Sequence, residues 1–384
     1  MKARYQYRFY PTSQQKQSLA QLFGCVRVVW NDALALCKQS EKKPKSAEIQ
    51  KIVITQAKKT EERAWLSEVS NIPLQQSIAD LETAFKNFFE FWKGKRKGRK
   101  VGYPKFKKRI NSQSARLTRG GFSIKGEGVY LAKIGIVKPI WSRELPSKPS
   151  SVTIIKDGAN RYFLSFVVEI EPVQVDAKNQ SVGIDLGIKT FAVMSNGEKA
   201  ESPNYKKLDR KVRKLQRKGA RQPKNSKRRD KTRIKIAKLH NQIADLRKDF
   251  LHQLSTKIVN ENQVIVLEDL NVSGMVKNRK LSRAISQQGW YEFRVLCEAK
   301  SQRLDREFRV ISRWEPTSQI CSDCGYKWGK LDLKVRSVQC LNCGIEHDRD
   351  ENAAKNINKV GIGHCHDSKR AQRGRKTTKG SRPL

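Results

Sequence analysis

Four cysteines near the C-terminus have the spacing of a metal site. They form two pairs, Cys321-Ser-Asp-Cys324 and Cys340-Leu-Asn-Cys343, separated by fifteen residues. Two CxxC turns can wrap one tetrahedral zinc, each turn supplying two thiolates. A glycine follows each pair, Gly325 and Gly344, as such turns prefer. Three acids surround this ribbon in sequence. Asp185 lies in Val182-Gly-Ile-Asp-Leu-Gly187, Glu268 ends the apolar run Val264-Ile-Val-Leu267, and Asp350 falls in Asp348-Arg-Asp-Glu-Asn-Ala-Ala-Lys-Asn-Ile357. Asp185 interrupts a strand that should be buried, and strand interiors disfavour Asp, so something must offset its desolvation. A divalent metal would do so. Two parallel central strands would set Asp185 and Glu268 side by side, and a helix from Glu351 to Lys359 would dock across the sheet and add Asp350. Three carboxylates around one point can hold two Mg²⁺ ions roughly 3.5–4 Å apart, the geometry of phosphodiester hydrolysis.

Each signal also has an ordinary reading. Val-Gly-Ile-Asp-Leu-Gly alone is weak, Asp269 can cap a turn, and Asp348 or Asp350 can be the N-cap of the helix that follows. Zinc ribbons are usually structural. The weight comes from the order acid, acid, ribbon, acid on a strongly basic chain.

That basicity sets the partner. The chain has 384 residues, enough for two or three domains, with 80 Lys and Arg against 37 Asp and Glu, a net charge of +43. Such an excess points to a polyanion, most simply nucleic acid. Membrane-surface binding is the weaker reading, because no run approaches the roughly 18 uninterrupted apolar residues of a spanning helix. Residues Met1 to Tyr10 contain no signal-peptide core, so a cytoplasmic, nucleoid-associated location is expected. Cys25, Cys37 and Cys297 lie in helical apolar patterns and read as small core residues. His364-Cys365-His366 resembles a metal tract but falls in a basic tail.

The elements that must position the acids follow from periodicity. Arg4 to Tyr10 alternates as a strand, and Thr12 or Ser13 can cap the helix carrying Leu19, Leu22, Phe23, Val26, Val29, Trp30, Ala33 and Leu34. A polar helical stretch is expected over Ala47 to Lys59. Leu74, Ile78, Leu81, Phe85, Phe88 and Trp92 form another helical stripe. Lys93 to Arg109 carries ten Lys or Arg and no acid, with Tyr103 and Phe106 interleaved. A solvated loop is the usual reading of such a run. Here the aromatics suit a grip on a phosphate backbone with stacking on bases. From Gly121 to Ile170 short strands with turn residues between them suggest a small barrel, with the first strand returning to it and the helical unit inserted. Strands over Ser181–Asp185 and Thr190–Met194 follow. Lys206 to Lys235 has sixteen Lys or Arg, with Pro223 breaking a helical hairpin whose second arm carries Ile236, Leu239, Ile243, Leu246, Phe250, Leu254 and Ile258. A strand over Val264–Leu267, a helix over Trp290–Leu304 and a strand over Phe308–Ile311 lead to the ribbon.

The chain resembles the TnpB family, RNA-guided endonucleases of insertion sequences related to type V CRISPR effectors. The matching residues are Tyr10-Pro-Thr12, Gly183-Ile-Asp185-Leu-Gly-Ile-Lys189, Leu267-Glu268-Asp-Leu270, Thr317-Ser-Gln-Ile-Cys-Ser-Asp-Cys-Gly325, Cys340-Leu-Asn-Cys-Gly344 and Asp348 to Ile357. They span nearly the whole chain except its tail. The resemblance implies a multidomain α+β protein. A wedge-type β-barrel (1–11 and 112–175) would hold an inserted helical recognition unit (12–111). A RuvC-type, RNase H-like α/β nuclease (176–316 and 346–360) would hold an inserted zinc ribbon (317–345). A basic disordered tail (361–384) would follow. By family position Asp185, Glu268 and Asp350 are the catalytic acids holding two Mg²⁺, and Cys321, Cys324, Cys340 and Cys343 hold one structural Zn²⁺. Asp350 rather than Asp348 matches the Asp-x-Asn-x-Ala pattern. The implied partners are a guide RNA from the transposon end and double-stranded DNA beside a short adjacent motif, with a monomer in the complex. Pairing would read sequence while the protein reads shape and backbone. Gln75 and Gln76 on the second helix are placed to reach base edges of the motif. The alternatives are a catalytically silent RNA-guided DNA-binding protein, a basic RNA-binding protein that leaves Asp185 and Glu268 unexplained, and a DDE-type transposase. The last would normally carry a helix-turn-helix ahead of its catalytic domain, and none is read here.

Overall fold

Tyr5, Tyr7 and Phe9 alternate with outward residues along β1 (Lys2–Phe9) and are buried, as a half-buried strand requires. The computed structural model describes residues 1–363, except Lys97, Arg99, Ile110, Asn111 and Leu333. The His364-Cys365-His366 tract and most of the expected tail lie outside the described residues. The chain divides into two units, Met1–Ile170 with Leu215–Lys238, and Glu171–Lys214 with the residues from Leu239 onward.

In the first unit, Thr12 opens α1 (Ser13–Gln39) with a capping box: its hydroxyl accepts from the Gln15 N–H while the Gln15 side chain accepts from the Thr12 N–H. Composition and length would let α1 cross a bilayer, yet its apolar face is buried in the core, Leu19, Val29, Ala33 and Leu34 completely. The expected helix over 47–59 is α-helical only in α2 (Ser46–Gln50). It continues as a π-turn at Lys51–Gln56 and 3₁₀ turns at Ala57–Lys59 and Glu61–Glu68. The β-branched run Ile52-Val-Ile-Thr55 is a poor α-former. Along α3 (Asn71–Trp92), Leu74, Ile78, Leu81 and Phe85 are buried, whereas Trp92 at the end of the stripe is exposed.

The expected closed barrel is not formed. β1, β7 (Tyr162–Glu169), β6 (Ser151–Lys156) and β2 (Gln113–Thr118) make an open antiparallel sheet in that order. β3 (Phe122–Lys125), β4 (Gly128–Leu131) and β5 (Gly135–Val137) make a separate meander. The first strand does return, pairing with β7 from Lys2–Glu169 to Phe9–Tyr162. Closure needs enough tilted strand length, and three of these strands have only three or four residues. Helices α1 and α3 fill the space instead, sharing one core with both sheets.

The second unit is built on a five-stranded mixed sheet, ordered β10 (Lys199–Ala200), β9 (Ala192–Met194), β8 (Asn179–Leu186), β11 (Asn262–Glu268), β12 (Glu307–Ile311). β8, β9 and β10 run antiparallel, while β11 is parallel to both β8 and β12. This is the α/β architecture expected of the C-terminal half. The basic hairpin is α4 (Lys206–Ala220) and α5 (Lys227–Glu261), broken around Pro223 as expected. Leu251, Leu254, Ile258 and Val259 of α5 pack under the sheet with Trp290, Phe293 and Cys297 of α8 (Trp290–Arg303). Short helices α6 (Val272–Met275) and α7 (Ser282–Gln288) connect them. The ribbon carries the hairpin β13 (Ser337–Gln339) and β14 (Glu346–Asp348), and α9 (Arg349–Gly361) returns to the sheet.

Candidate functional site

The parallel register pairs Leu267 with Ile184. The next residue on each strand is therefore Glu268 and Asp185, side by side at the carboxyl ends of two central strands. α9 brings the third acid. Its packing relies on Gly183, two residues before Asp185. A methyl there would lie inside contact distance of the Ala354 carbonyl and the Asn358 nitrogen, and 2.8 Å from the Asn358 Cα. Gly361 likewise leaves room for Val266.

The two aspartates at the start of α9 divide their work. Asp348 is the N-cap, accepting from the N–H groups of Asp350 and Glu351 at 3.0 and 3.1 Å, and its other oxygen meets Lys199 Nζ at 2.8 Å. Asp350 is left with its carboxylate free of the backbone, 3.1 Å from Arg336 Nη1. The Asp185 carboxyl is pushed up to about 7, first by burial and then by the charges of Glu268 and Asp350, with Arg349 opposing. Glu268 is also raised by burial, with a 2.7 Å hydrogen bond from Thr317 Oγ1 pulling the other way. A buried aspartate raised further by two neighbouring carboxylates is the electrostatic pattern of acids gathered at a cation site. Their oxygens are hard ligands of the kind Mg²⁺ takes.

The ribbon's cysteines come together as their spacing requires. Cys321 and Cys343 Sγ are 3.7 Å apart, Cys324 and Cys340 Sγ 3.5 Å, and all four lie within 4.8 Å of one another. A tetrahedral ion about 2.3 Å from each sulfur needs edges of roughly 3.8 Å, so the set fits. Each knuckle closes on its glycine: Gly325 N–H reaches Cys321 O at 3.0 Å and Gly344 N–H reaches Cys340 O at 2.8 Å, both glycines with positive φ. Cys324 is drawn down to about 6, chiefly by Asn342 and the Tyr326 N–H. Buried His347 places Nε2 3.1 Å from Cys321 Sγ.

Asn352 and Asn356 were missed as functional residues in the sequence. Both are buried on α9. Asn352 accepts from the Ser322 N–H at 2.7 Å and donates to Ile320 O at 2.8 Å, while Asn356 donates to Thr317 O and Ile320 O at 2.8 and 2.7 Å. The helix bearing Asp350 thus clamps the backbone at the first cysteine knuckle. Their i, i+4 spacing on a helix whose other buried residues are Ala353, Ala354 and Ile357 was the available signal.

Basic surfaces lie elsewhere on each unit. Trp30 Nε1 donates to Lys105 O and Asn31 bonds both N and O of Lys107, pinning the end of the aromatic-basic loop to α1. Lys107 Nζ lies 3.7 Å over the Trp30 ring. Gln75 is exposed, and Gln76 lines a cleft of about 210 Å³ with Arg4, Asp80, Lys107, Ser114 and Thr153. On α4, Lys207, Arg210, Lys211, Lys214, Arg217 and Lys218 face solvent.

The sheet, the acids at its carboxyl edge and the cysteine ribbon correspond to matches with known families. A model described as "Probable transposase" (OrfB of IS605) matches residues 165–279, and one described as "Cas12f1-like, TNB domain" matches 290–357. These define a transposon-encoded protein of the OrfB class. A "Helix-turn-helix domain" model of the same class matches 1–45, where the sequence reading found none. That segment folds as β1 and α1, and the next helix begins at Ser46. The chain is 43% identical to "Putative RNA-guided DNA endonuclease" of Streptomyces pristinaespiralis, over 97% of this chain and 93% of that one. It is 30% identical to "Putative RNA-guided DNA endonuclease InsQ" of Escherichia coli K12, over 94% and 92%. A solved Cas12f1–sgRNA–target DNA complex superposes with a TM-score of 0.49 at 12% identity, over 93% of this chain and 98% of that one. The chain belongs to the TnpB family of IS605-type elements.

Proposed function

We propose that this protein is an RNA-guided DNA endonuclease that hydrolyses phosphodiester bonds with divalent metal ions held by Asp185, Glu268 and Asp350. The observation that carries the reading is the convergence of these acids from β8, β11 and α9, with Asp185 raised by both of the others. When bound, two Mg²⁺ ions supply a nucleophilic water and Lewis acidity at the leaving oxygen. The chain's own part is positioning. Thr317 orients Glu268, and Asp348 caps α9 so that Asp350 stays available. One structural zinc on Cys321, Cys324, Cys340 and Cys343 holds the ribbon that α9 clamps.

Identity to named RNA-guided endonucleases across the chain supports guide RNA and DNA as partners. A net charge of +43 suits holding a guide, its target and the displaced strand, since phosphate neutralisation supplies much of such affinity. In this reading the sheets of residues 1–11 and 112–175 form the wedge, and 12–111 the recognition unit. The cleft holding Gln76 reads the motif beside the target.

The test is purification with co-expressed transposon-end RNA, then cleavage of a plasmid library with a matched target beside randomised flanks, in Mg²⁺, with Asp185→Ala as control. Cutting that needs guide, target and a particular flank, and is lost in Asp185→Ala, supports the reading. Tight RNA binding without cutting, identical in both proteins, would leave a guided DNA-binding protein.

A further inference from the structure

Between β12 and the ribbon the chain makes a short turn, Ser312-Arg-Trp-Glu-Pro-Thr317, fastened at both ends to Glu268 and Asp269 at the end of β11. Upstream, Ile311 pairs with Glu268 in register, and its carbonyl accepts from the Asp269 N–H at 3.1 Å. Arg313 forms an ion pair with Asp269, whose other oxygen is held by Arg294 at 2.8 Å. Downstream, Thr317 is buried, bonded to the Glu268 carboxylate and, through its carbonyl, to Asn356. Within the turn, Trp314 N–H reaches Ser312 Oγ at 3.3 Å and Glu315 N–H reaches Ser312 O at 3.1 Å. Pro316 further restricts it.

Trp314 lies within this hydrogen-bonded turn and is 83% exposed. An indole is the largest apolar side chain, and leaving it in water forgoes the burial that ordinarily stabilises it. A scattered exposed apolar residue needs no explanation. This one is held three residues from the threonine that touches Glu268, on a turn fastened through Ser312, Arg313 and Thr317. The backbone that carries this open ring is held in place before a ligand arrives, which lowers the entropy cost of stacking.

We propose that Trp314 is the stacking platform for an unpaired base of the DNA strand presented to Asp185, Glu268 and Asp350. The inference rests on the nuclease reading above. An aromatic face accepts any base, as a guided enzyme requires, because every base has a π-face and sequence is read elsewhere. Only an unstacked base can lie on it, so the platform selects single-stranded over duplex DNA and sets the phosphate near that base against the carboxylates. Trp314 is therefore a substrate-positioning residue.

Two measurements test this on the full chain bound to guide RNA. In the Asp185→Ala background, which cuts nothing, target strands carrying 5-iododeoxyuridine at successive positions are irradiated and the adducts mapped by mass spectrometry. The expected result is an adduct on Trp314 at one or two adjacent positions, absent with paired duplex DNA. In the active protein, Trp314→Ala is expected to raise KM for a single-stranded substrate about tenfold, with Trp314→Phe restoring most of it. An abasic site at the crosslinked position should give the same loss and add nothing to Trp314→Ala. Equal zinc content and guide affinity in the variants exclude misfolding. Unchanged KM with no Trp314 adduct would overturn the proposal, as would an adduct confined to other residues, or a Trp314 that captures a protein partner while strand cleavage is untouched. If the wild type cuts nothing under any condition, the nuclease reading itself fails, and the crosslinking arm still reports whether a base stacks on Trp314.

Discussion

Gly183 on β8 and Ala354 on α9 meet backbone to backbone, with no room for a side chain between them. This contact sets how closely the helix that carries Asp350 approaches the strand that carries Asp185. The glycine of Val-Gly-Ile-Asp is thus a packing requirement of the site.

Gly183→Ala is expected to push α9 outward, at a cost of about 1–3 kcal/mol for overpacking. Thermal melting should fall, and cleavage should fall by more than the lost folded fraction, because Asp350 is displaced. A variant with wild-type melting and rate would show that the approach is not needed.

The two aspartates of α9 should separate stability from chemistry. Asp348→Ala removes the cap on Asp350 and Glu351 N–H and should cost about 1 kcal/mol, with Asp348→Asn keeping most of it. It should keep substantial cutting. Asp350→Ala should abolish cutting with little loss of stability. The reverse pattern in paired melts and cleavage assays would exchange their roles.

Asn352→Leu leaves the buried Ser322 N–H without its acceptor, while the Ile320 carbonyl keeps Asn356, a loss of about 1–3 kcal/mol. Because Ser322 follows Cys321, the ribbon should hold its metal more weakly. A zinc titration against a competing chelator reads this directly, and unchanged zinc affinity would refute the coupling.

Arg336, carried by the ribbon, lies 3.1 Å from Asp350 as a competing cation. Both side chains are substantially exposed, so the pair is worth at most about 1 kcal/mol. Arg336→Gln should tighten Mn²⁺ binding at the acids, by calorimetry, by up to about fivefold. Weaker binding would mean that Arg336 orients Asp350 rather than blocking it.

Lys300 supplies a pH test remote from the acids. Its ammonium donates to His252 O, Ser255 Oγ and Thr256 Oγ1 at 2.6, 2.7 and 2.6 Å. Burial nevertheless lowers it from 10.5 to about 8, with the Cys297 charge opposing. Between these values the unfolded chain keeps a proton that the folded chain has released, so this site makes stability rise with pH across that window. Urea unfolding at several pH values should show a steeper rise for wild type than for Lys300→Met. Parallel curves would refute it.

Much of this protein was legible locally. Cys321, Cys324, Cys340 and Cys343 announced their knuckles because a CxxC turn and its glycine are formed within a few residues. The apolar run before Glu268 could only be a buried strand, and Thr12 marked the start of α1, since a cap is satisfied within one turn. Relations between distant segments were decided by tertiary packing. Nothing near Tyr5 or Phe166 says whether their sheet closes; it stays open because α1 and α3 occupy the interior, and strand length is too short to exclude them. The family pattern singles out Asp350 over Asp348, but only the folded helix shows that the Asp348 carboxylate is committed to the cap, accepting from the N–H groups of Asp350 and Glu351. Asn352 and Asn356 took their meaning from partners 30 to 39 residues away. The physical reason is the same in each case: short-range geometry is set by the chain's own dihedrals and turn hydrogen bonds, whereas register, closure and side-chain direction are set by which surfaces bury one another.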